Sequence, residues 1–175
     1  MRKYKKWIIA GILAVLAAAV CAGLYVRKVQ RENKSYSLIY IPKVVDGTND
    51  FWTSLILGTE MAAKEYRADI EIMAPEDEND VEGQNRLLEE AIEKKPDAIL
   101  FSPSSFTESD SLLKNAKDKG IHIVFVDSYT DQDIQDITVA TDNLEAGELL
   151  GKFAAGLLKP EDQIAVVAHV KGVST

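Results

Sequence analysis

Short apolar runs alternate with longer amphipathic stretches from residue 35 onward. Short apolar runs predict strands, and apolar residues that recur every three or four positions predict helices. Strands are predicted at residues 37–41, 69–73, 98–101, 122–126, 138–140 and 164–168. Helices are predicted between them at residues 51–66, 81–94, 109–119 and 144–158. The chain therefore reads as a repeated β-α unit.

Two of the predicted strands are apolar at consecutive positions rather than at alternate ones. They contain Ile99-Leu100-Phe101 and Ile123-Val124-Phe125-Val126. Successive side chains of a strand point to opposite faces of the sheet, so both faces of these strands need a cover. Strands of this kind, connected by helices, are typical of a parallel sheet. The pattern predicts an α/β fold with an open parallel sheet and helices on both faces.

Residues that commonly begin or end helices lie at the boundaries of this pattern. Pro96 follows Lys94-Lys95 at the end of the second helix, and Gly120 follows a lysine at the end of the third. Asp80 and Ser109 each precede a helical stretch. We expect both to cap helix N-termini, because short polar side chains accept the free N–H groups there.

The N-terminus has a different pattern. Residues 7–26 contain no charged or amide side chain, and basic residues flank them on both sides. A helix of this length is roughly 30 Å long, which matches the hydrocarbon core of a bilayer. The sequence therefore predicts one transmembrane helix ahead of the α/β body, within a leader that covers residues 1–34.

Three interpretations of this leader are open, and each places the body outside the cytoplasm. The length of the apolar run favours a retained membrane anchor over a signal peptide. A cleaved secretory signal is the second interpretation, with Ala17-Ala18-Ala19 as the small residues before the cut. The third is a lipoprotein signal, in which lipid is attached to Cys21, the only cysteine, although Val20 is large for the position before it.

The leader and the body carry opposite charges. The leader holds eight Lys and Arg residues and one acid, a net charge of +7. The rest of the chain holds 12 bases and 27 acids, a net charge of −15. An acidic body repels phosphate backbones, so nucleic-acid binding is disfavoured. A length of 175 residues allows one domain with an appendage, or one domain cut short.

Ligands of an open parallel sheet bind at the loops that follow the carboxyl ends of its strands. After the first strand, Asn49 precedes the aromatic residues Phe51 and Trp52 at the start of a helix. An aromatic ring can stack on the apolar face of a sugar, while amides and carboxylates bind its hydroxyls. The other interpretation is that both rings only pack the helix against the sheet.

Smaller polar groups follow the later strands. Asp127 and Ser128 come directly after the fourth strand, where a carboxylate can accept hydrogen bonds from neighbouring hydroxyls. An ordinary turn or capping acid is the other interpretation of Asp127. Secondary candidates follow the third and fifth strands, namely Ser102, Ser104, Asp142 and Asn143. Asp142 is also expected to cap the helix that begins beside it.

Catalytic and cofactor motifs are absent. The sequence has no Gly-x-Gly-x-x-Gly, no phosphate loop and no serine in a Gly-x-Ser-x-Gly context. His122 and His169 lie far apart, without a further His or Cys at the spacing of metal ligands. We therefore expect recognition of a small molecule without chemistry, and neither a cofactor nor a metal.

Several segments of the body occur in an order that is typical of one family. They are Asn49-Asp50-Phe51-Trp52, Gln84, Lys95-Pro96-Asp97-Ala98-Ile99, residues 120–128, and Thr141-Asp142-Asn143 with Ala146-Gly147. This order resembles the periplasmic sugar-binding proteins of the ribose and galactose type, the substrate receptors of ABC importers. The resemblance implies that Phe51 and Trp52 stack on a sugar, that Asp127 binds its hydroxyls and that Asn49 adds a polar contact. Ribose binders typically carry arginine where Ser128 stands.

The resemblance also implies a division of the body. Residues 35–161 are similar to the N-terminal lobe of a type I periplasmic binding protein, and residues 162–175 to the start of a second lobe. It implies extracytoplasmic binding of a small sugar or related hydroxylated ligand, with an ABC importer permease as partner. The alternative is a ligand-sensing domain that signals to a membrane receptor or histidine kinase. Because family members close two lobes over the ligand, we expect this incomplete chain alone to bind sugar very weakly or not at all.

Overall fold

The computed structural model of the protein describes residue 16 and residues 19–25, 35–47 and 49–167. The chain divides into two units, Met1–Ser35 and Tyr36–Thr175. Residues 19–25 of the first unit are helical and exposed. Most of the predicted membrane segment 7–26 lies outside the described residues. Within the described residues, no helix is both long enough and apolar enough to cross a bilayer.

The second unit contains a five-stranded sheet with helices between its strands. Its strands are β1 (Tyr36–Ile41), β2 (Ala68–Ile72), β3 (Ala98–Phe101), β4 (His122–Val126) and β5 (Ile137–Val139). Its helices are α1 (Asp50–Tyr66), α2 (Val81–Lys94), α3 (Asp110–Asp118) and α4 (Asn143–Leu157). These nine elements confirm the first five of the six predicted strands and all four predicted helices, because each boundary agrees to within one residue.

The sheet is entirely parallel and has the strand order β2-β1-β3-β4-β5. With right-handed crossovers, this order places α1 on one face and α2 and α3 on the other. The main core lies between the sheet and α2 and α3, and includes Ile39, Ile41, Ile99, Phe101, Ile123, Phe125, Leu88, Ile92 and Leu113. On α1, Trp52 and Ala63 are buried. The consecutive apolar residues of β3 and β4 thus belong to a sheet that has helices on both faces.

Two of the three predicted caps are confirmed and one is wrong. Asp80 accepts the N–H of Gly83 at 2.8 Å, and Asp142 accepts the N–H of Glu145 at 2.9 Å. Ser109 precedes α3 but makes no capping hydrogen bond. Its hydroxyl donates instead to Oδ1 of Asn85 at 2.7 Å, because α2 lies close enough to offer this acceptor.

The described residues after β5, which end at residue 167, do not join the sheet. The predicted strand at 164–168 is wrong for its described part, because residues 164–167 form no regular structure. A strand needs a neighbouring strand for its N–H and C=O groups, and here Val166 and Val167 are 83% and 97% exposed. Helix α4 likewise buries none of its residues. Among the described residues, the sheet therefore ends at β5.

Candidate ligand-binding site

The polar residues of the candidate site lie at the carboxyl ends of β1, β3 and β4. In the strand order, β1 lies between β2 and β3. From β1 the chain continues to β2 on one side, while β3, β4 and β5 are added on the other side, so the strand order reverses direction between the neighbours β1 and β3. Such a reversal leaves a crevice at the carboxyl edge of an open sheet, where ligands bind. We call residues 42–47, 102–105 and 127–130 the carboxyl-edge loops.

A buried amide of α2 joins two of these loops. Gln84 is fully buried, and its Nε2 donates to the carbonyl oxygens of Pro42 at 3.2 Å and Ser102 at 2.9 Å. Its Oε1 accepts the N–H of Ser104 at 3.0 Å. An amide has enough donors and acceptors to satisfy all three groups at once. Gln84 therefore fixes the loop after β1 against the loop after β3.

The three serines of the predicted site are buried and bonded to the protein itself. The hydroxyls of Ser102 and Tyr40 share a hydrogen bond of 3.1 Å. Ser104 donates to the carbonyl oxygen of Glu78 and Ser128 to that of Pro103, each at 3.0 Å. These hydroxyls hold the loops in place, and a ligand-binding role for them stays a prediction. Burial raises the pKa of Tyr40 to about 12, so its phenol is neutral at physiological pH.

The aromatic pair after β1 is split between the interior and the surface. Trp52 is 2% exposed, whereas Phe51 is 52% exposed. Their rings meet edge to face, with centroids 5.0 Å apart and an interplanar angle of 83°. Asn49 caps α1, because its Oδ1 accepts the N–H of Phe51 at 3.0 Å. In this lobe Phe51 therefore offers the ring surface, while Trp52 supports it from beneath and Asn49 begins the helix.

Asp127 has an unusual backbone conformation directly after β4. Its φ is 70°, in the left-handed region, and the N–H of Ser128 donates to the carbonyl of Val126 at 2.9 Å. This combination is that of a classic γ-turn, which is rare and strained. The N–H of Asp127 donates to the carbonyl of Val139 at 2.9 Å and ties the turn to β5. Strain of this kind concentrates at functional sites, which supports Asp127 as a site residue.

Asp142 and Asn143 lie after β5, at the start of α4, outside the three carboxyl-edge loops but beside Tyr129 of one of them. With Tyr129 and Thr138 they line a surface cavity of about 310 Å³. Cys21 belongs to the other unit and is an exposed free thiol. The structure thus brings Ser102, Ser104, Asp127 and Ser128 to one sheet edge, with Asn49 and Phe51 at the start of the adjoining helix.

Two site residues were not singled out from the sequence, Lys43 and Tyr40. Lys43 follows β1 by two residues and is 2% exposed, which is unusual for a lysine. Burial lowers the pKa of its ammonium, while the nearby Asp127 and Glu78 raise it. A lysine directly after an apolar strand, at the edge where ligands bind, is a signal that could have identified it. A tyrosine within the apolar run of β1 is a similar signal for Tyr40.

Comparison with known proteins gives consistent matches. The sequence profile of the periplasmic binding protein domain matches residues 40–175. The ribose import binding protein of Bacillus subtilis is 28% identical over 126 residues, which cover 72% of this chain and 41% of that protein. The crystal structure of a sugar transporter from Clostridium phytofermentans is 45% identical, with a TM-score of 0.74 over 79% of this chain and 51% of that one.

A third match is a complex of two proteins. The XylFII–LytSN complex is 26% identical, with a TM-score of 0.70 over 81% of this chain and 50% of that chain. In each of these matches the present chain spans about half the length of its relative or less. The similarity therefore covers the described lobe and stops short of a whole relative.

Proposed function

Because this chain belongs to the periplasmic binding protein family, we propose that it binds a small sugar or related hydroxylated ligand outside the cytoplasm, for an ABC-type importer. Members of the family are substrate-binding proteins rather than enzymes. The observation that carries the proposal is Asp127, held in a strained turn at the carboxyl edge of β4. A carboxylate there can accept hydrogen bonds from two neighbouring hydroxyls.

The charges around the crevice favour a neutral ligand. The carboxyl-edge loops contain the acids Asp46 and Asp127 and a single cation, Lys43, by sequence. The negative charge of Glu78 raises the pKa of both Lys43 and Asp127. Acids therefore outnumber bases, and a sugar acid or sugar phosphate would be repelled. A neutral sugar is not repelled by this excess of negative charge, and its hydroxyls can donate hydrogen bonds to the same carboxylates.

The proposed site is one half of a two-lobed cleft. Residues 35–161 correspond in this proposal to the first lobe, and residues 162–175 to the start of the second. Phe51 offers an exposed ring for stacking, and Asp127 offers a carboxylate. Burial of most of a small ligand requires a surface on its other side as well. The second lobe is expected to supply that surface.

Titration of the labelled chain with a sugar, followed by NMR, tests this proposal. D-ribose at millimolar concentration is expected to shift the amide signals of the carboxyl-edge loops and of Phe51. D-gluconate, a sugar acid, is expected to shift them far less. Asp127→Asn should weaken the response to D-ribose, whereas Asp118→Asn, an exposed acid on α3, should leave it unchanged. Shifts confined to other regions, or an equal response to D-gluconate, contradict the proposal.

A second candidate is a ligand-sensing domain that presents its bound ligand to a membrane receptor or histidine kinase. The similarity to the XylFII–LytSN complex favours it, because that structure joins such a fold to another protein. The two candidates differ in what they require of the leader. Mass spectrometry of the cellular protein separates them: an intact segment 7–26 supports a membrane-anchored sensor. Processing after Ala19, or lipid on Cys21, supports an import receptor.

A further inference from the structure

Ser128 is a buried serine that directly follows the strained turn at Asp127. Its side chain is fully buried, and its hydroxyl donates to the carbonyl oxygen of Pro103 at 3.0 Å. Pro103 belongs to the loop after β3, whereas Ser128 belongs to the loop after β4. This hydrogen bond is therefore a direct link between two of the carboxyl-edge loops.

The loop that accepts this bond is itself held from the other side. Gln84 of α2 donates to the carbonyl oxygen of Ser102 at 2.9 Å and accepts the N–H of Ser104 at 3.0 Å. These two residues are the neighbours of Pro103 on either side. The carbonyl of Pro103 therefore lies between two anchored residues and offers Ser128 an acceptor in a fixed place.

The turn at Asp127 needs such support, because its backbone is strained. Its φ of 70° lies in the left-handed region, which is uncommon for residues other than glycine. A strained backbone persists only where the surrounding contacts hold it. The N–H of Asp127 donates to the carbonyl of Val139 at 2.9 Å. The turn is thus tied to β5 on one side and, through the hydroxyl of Ser128, to the loop after β3 on the other.

We propose that Ser128 is a positioning residue, whose buried hydroxyl holds the turn that presents the Asp127 carboxylate to the ligand. The proposal rests on the proposed function, in which Asp127 accepts hydrogen bonds from ligand hydroxyls. This role requires no contact between Ser128 and the ligand. Without the hydroxyl, the backbone of Asp127 can relax toward less strained angles, and its carboxylate moves with it. Only a fraction of the molecules then keeps the arrangement that binds.

NMR of the 175-residue chain tests this role, because the three-bond coupling between the amide and α protons of Asp127 reports its φ. Ser128→Ala is expected to change this coupling before any ligand is added. It is also expected to raise the apparent Kd for D-ribose about fivefold or more, since fewer molecules keep the strained turn. An unchanged coupling, or an unchanged Kd, in a folded Ser128→Ala chain would overturn the proposal.

Ser109→Ala is the matched control. Ser109 is also fully buried, and its hydroxyl donates to Oδ1 of Asn85 at 2.7 Å, away from the carboxyl-edge loops. Its loss should leave both the coupling of Asp127 and the affinity for D-ribose as they are. If the two alanine variants changed the coupling equally, the effect would be a general loss of packing, and the proposal would be wrong.

A second variant covers the case in which Ser128→Ala does not fold. Ser128→Cys keeps a small side chain but replaces the hydroxyl with a thiol, which is a weak donor. The coupling of Asp127 and the Kd for D-ribose are expected to change in this variant as well, and original values of both would contradict the proposal. Because the coupling is measured without sugar, a failure of the original chain to bind D-ribose counts against the proposed function and not against the held turn.

Discussion

At the scale of single residues, the buried amide of Gln84 makes a testable contribution to stability. Gln84→Leu removes three hydrogen bonds and leaves two carbonyls and one N–H without their partner. Each such loss costs about 1–3 kcal/mol, so the free energy of unfolding is expected to fall by about 3 kcal/mol or more. Urea denaturation followed by circular dichroism measures it. Glu89→Leu, on the exposed face of the same helix, serves as control and should cost less than about 0.5 kcal/mol.

Asp136 is expected to make stability depend on pH. Its carboxylate accepts the N–H of Ile123 at 3.0 Å, and this bond, with help from His122 and Lys117, lowers its pKa. A lowered folded-state pKa stabilises the fold above the unfolded value near about 4, and this contribution is lost as pH falls through the folded pKa. Asp136→Asn should therefore lower the urea midpoint at pH 7, with a difference that narrows below about pH 4. An equal difference throughout the acid range contradicts this assignment.

Some residues of the candidate site could be predicted from the sequence, whereas the roles of others depend on how the folded chain packs. Asp127 could be predicted because an acid directly after an apolar strand must lie at the edge of a parallel sheet. The division of labour between Phe51 and Trp52 could not, because adjacent helix positions point about 100° apart and only packing decides which is buried. The role of Gln84 was readable in part, since it lies one turn before Leu88 on the apolar face of α2.

At the scale of elements, α3 and α4 are expected to respond differently to the same kind of mutation. Leu113 of α3 is fully buried in the main core, whereas Phe153 of α4 is 67% exposed. Leu113→Ala should cost about 2–5 kcal/mol of the free energy of unfolding, through lost burial and a cavity. Phe153→Ala should cost less than about 0.5 kcal/mol, although it removes the larger side chain. Equal costs would mean that α4 packs on the lobe in solution.

Helix α4 has an exposed apolar face. Leu150, Phe153 and Leu157 are each at least 67% exposed, although this spacing is that of one apolar helix face. A helix keeps such a face when it packs on something, and the packed sheet ends at β5. We therefore expect this face of α4 to pack against a surface other than the described sheet, while the predicted lobe boundary at residue 161 stays a prediction.

The success and failure of the element predictions have one physical cause. Helices and the five strands of the packed sheet follow from local periodicity and from partners that are present within the lobe. The sequence 164–168 has the same apolar, β-branched character as those strands, but residues 164–167 find no neighbouring strand. The apolar pattern indicates that a segment can form a strand, but the segment does so only where a neighbouring strand pairs with its backbone. The same reasoning explains Ser109, whose hydroxyl found a better acceptor in Asn85.

At the scale of the whole molecule, the sheet order explains why residues far apart in sequence meet at one edge. With β1 between β2 and β3, the loops after β1 and β3 leave toward opposite faces and open a crevice between them. Gln84 spans 42 residues of sequence to reach Pro42, and Ser128 spans 25 to reach Pro103. These contacts join the loops after β1, β3 and β4 at the floor of the crevice.

The floor of the crevice is only one side of a binding site, which leads to a prediction for the chain as a whole. Specific pockets bury about 70–90% of a small ligand, and a single sheet edge covers one side of it. Calorimetry of the 175-residue chain with D-ribose is therefore expected to give no measurable heat at micromolar concentrations, although weak binding is visible by NMR. The ribose import binding protein of Bacillus subtilis serves as the positive control under the same conditions. Micromolar affinity in this chain would contradict the prediction, because it would require a second surface over the ligand, such as that of a second copy.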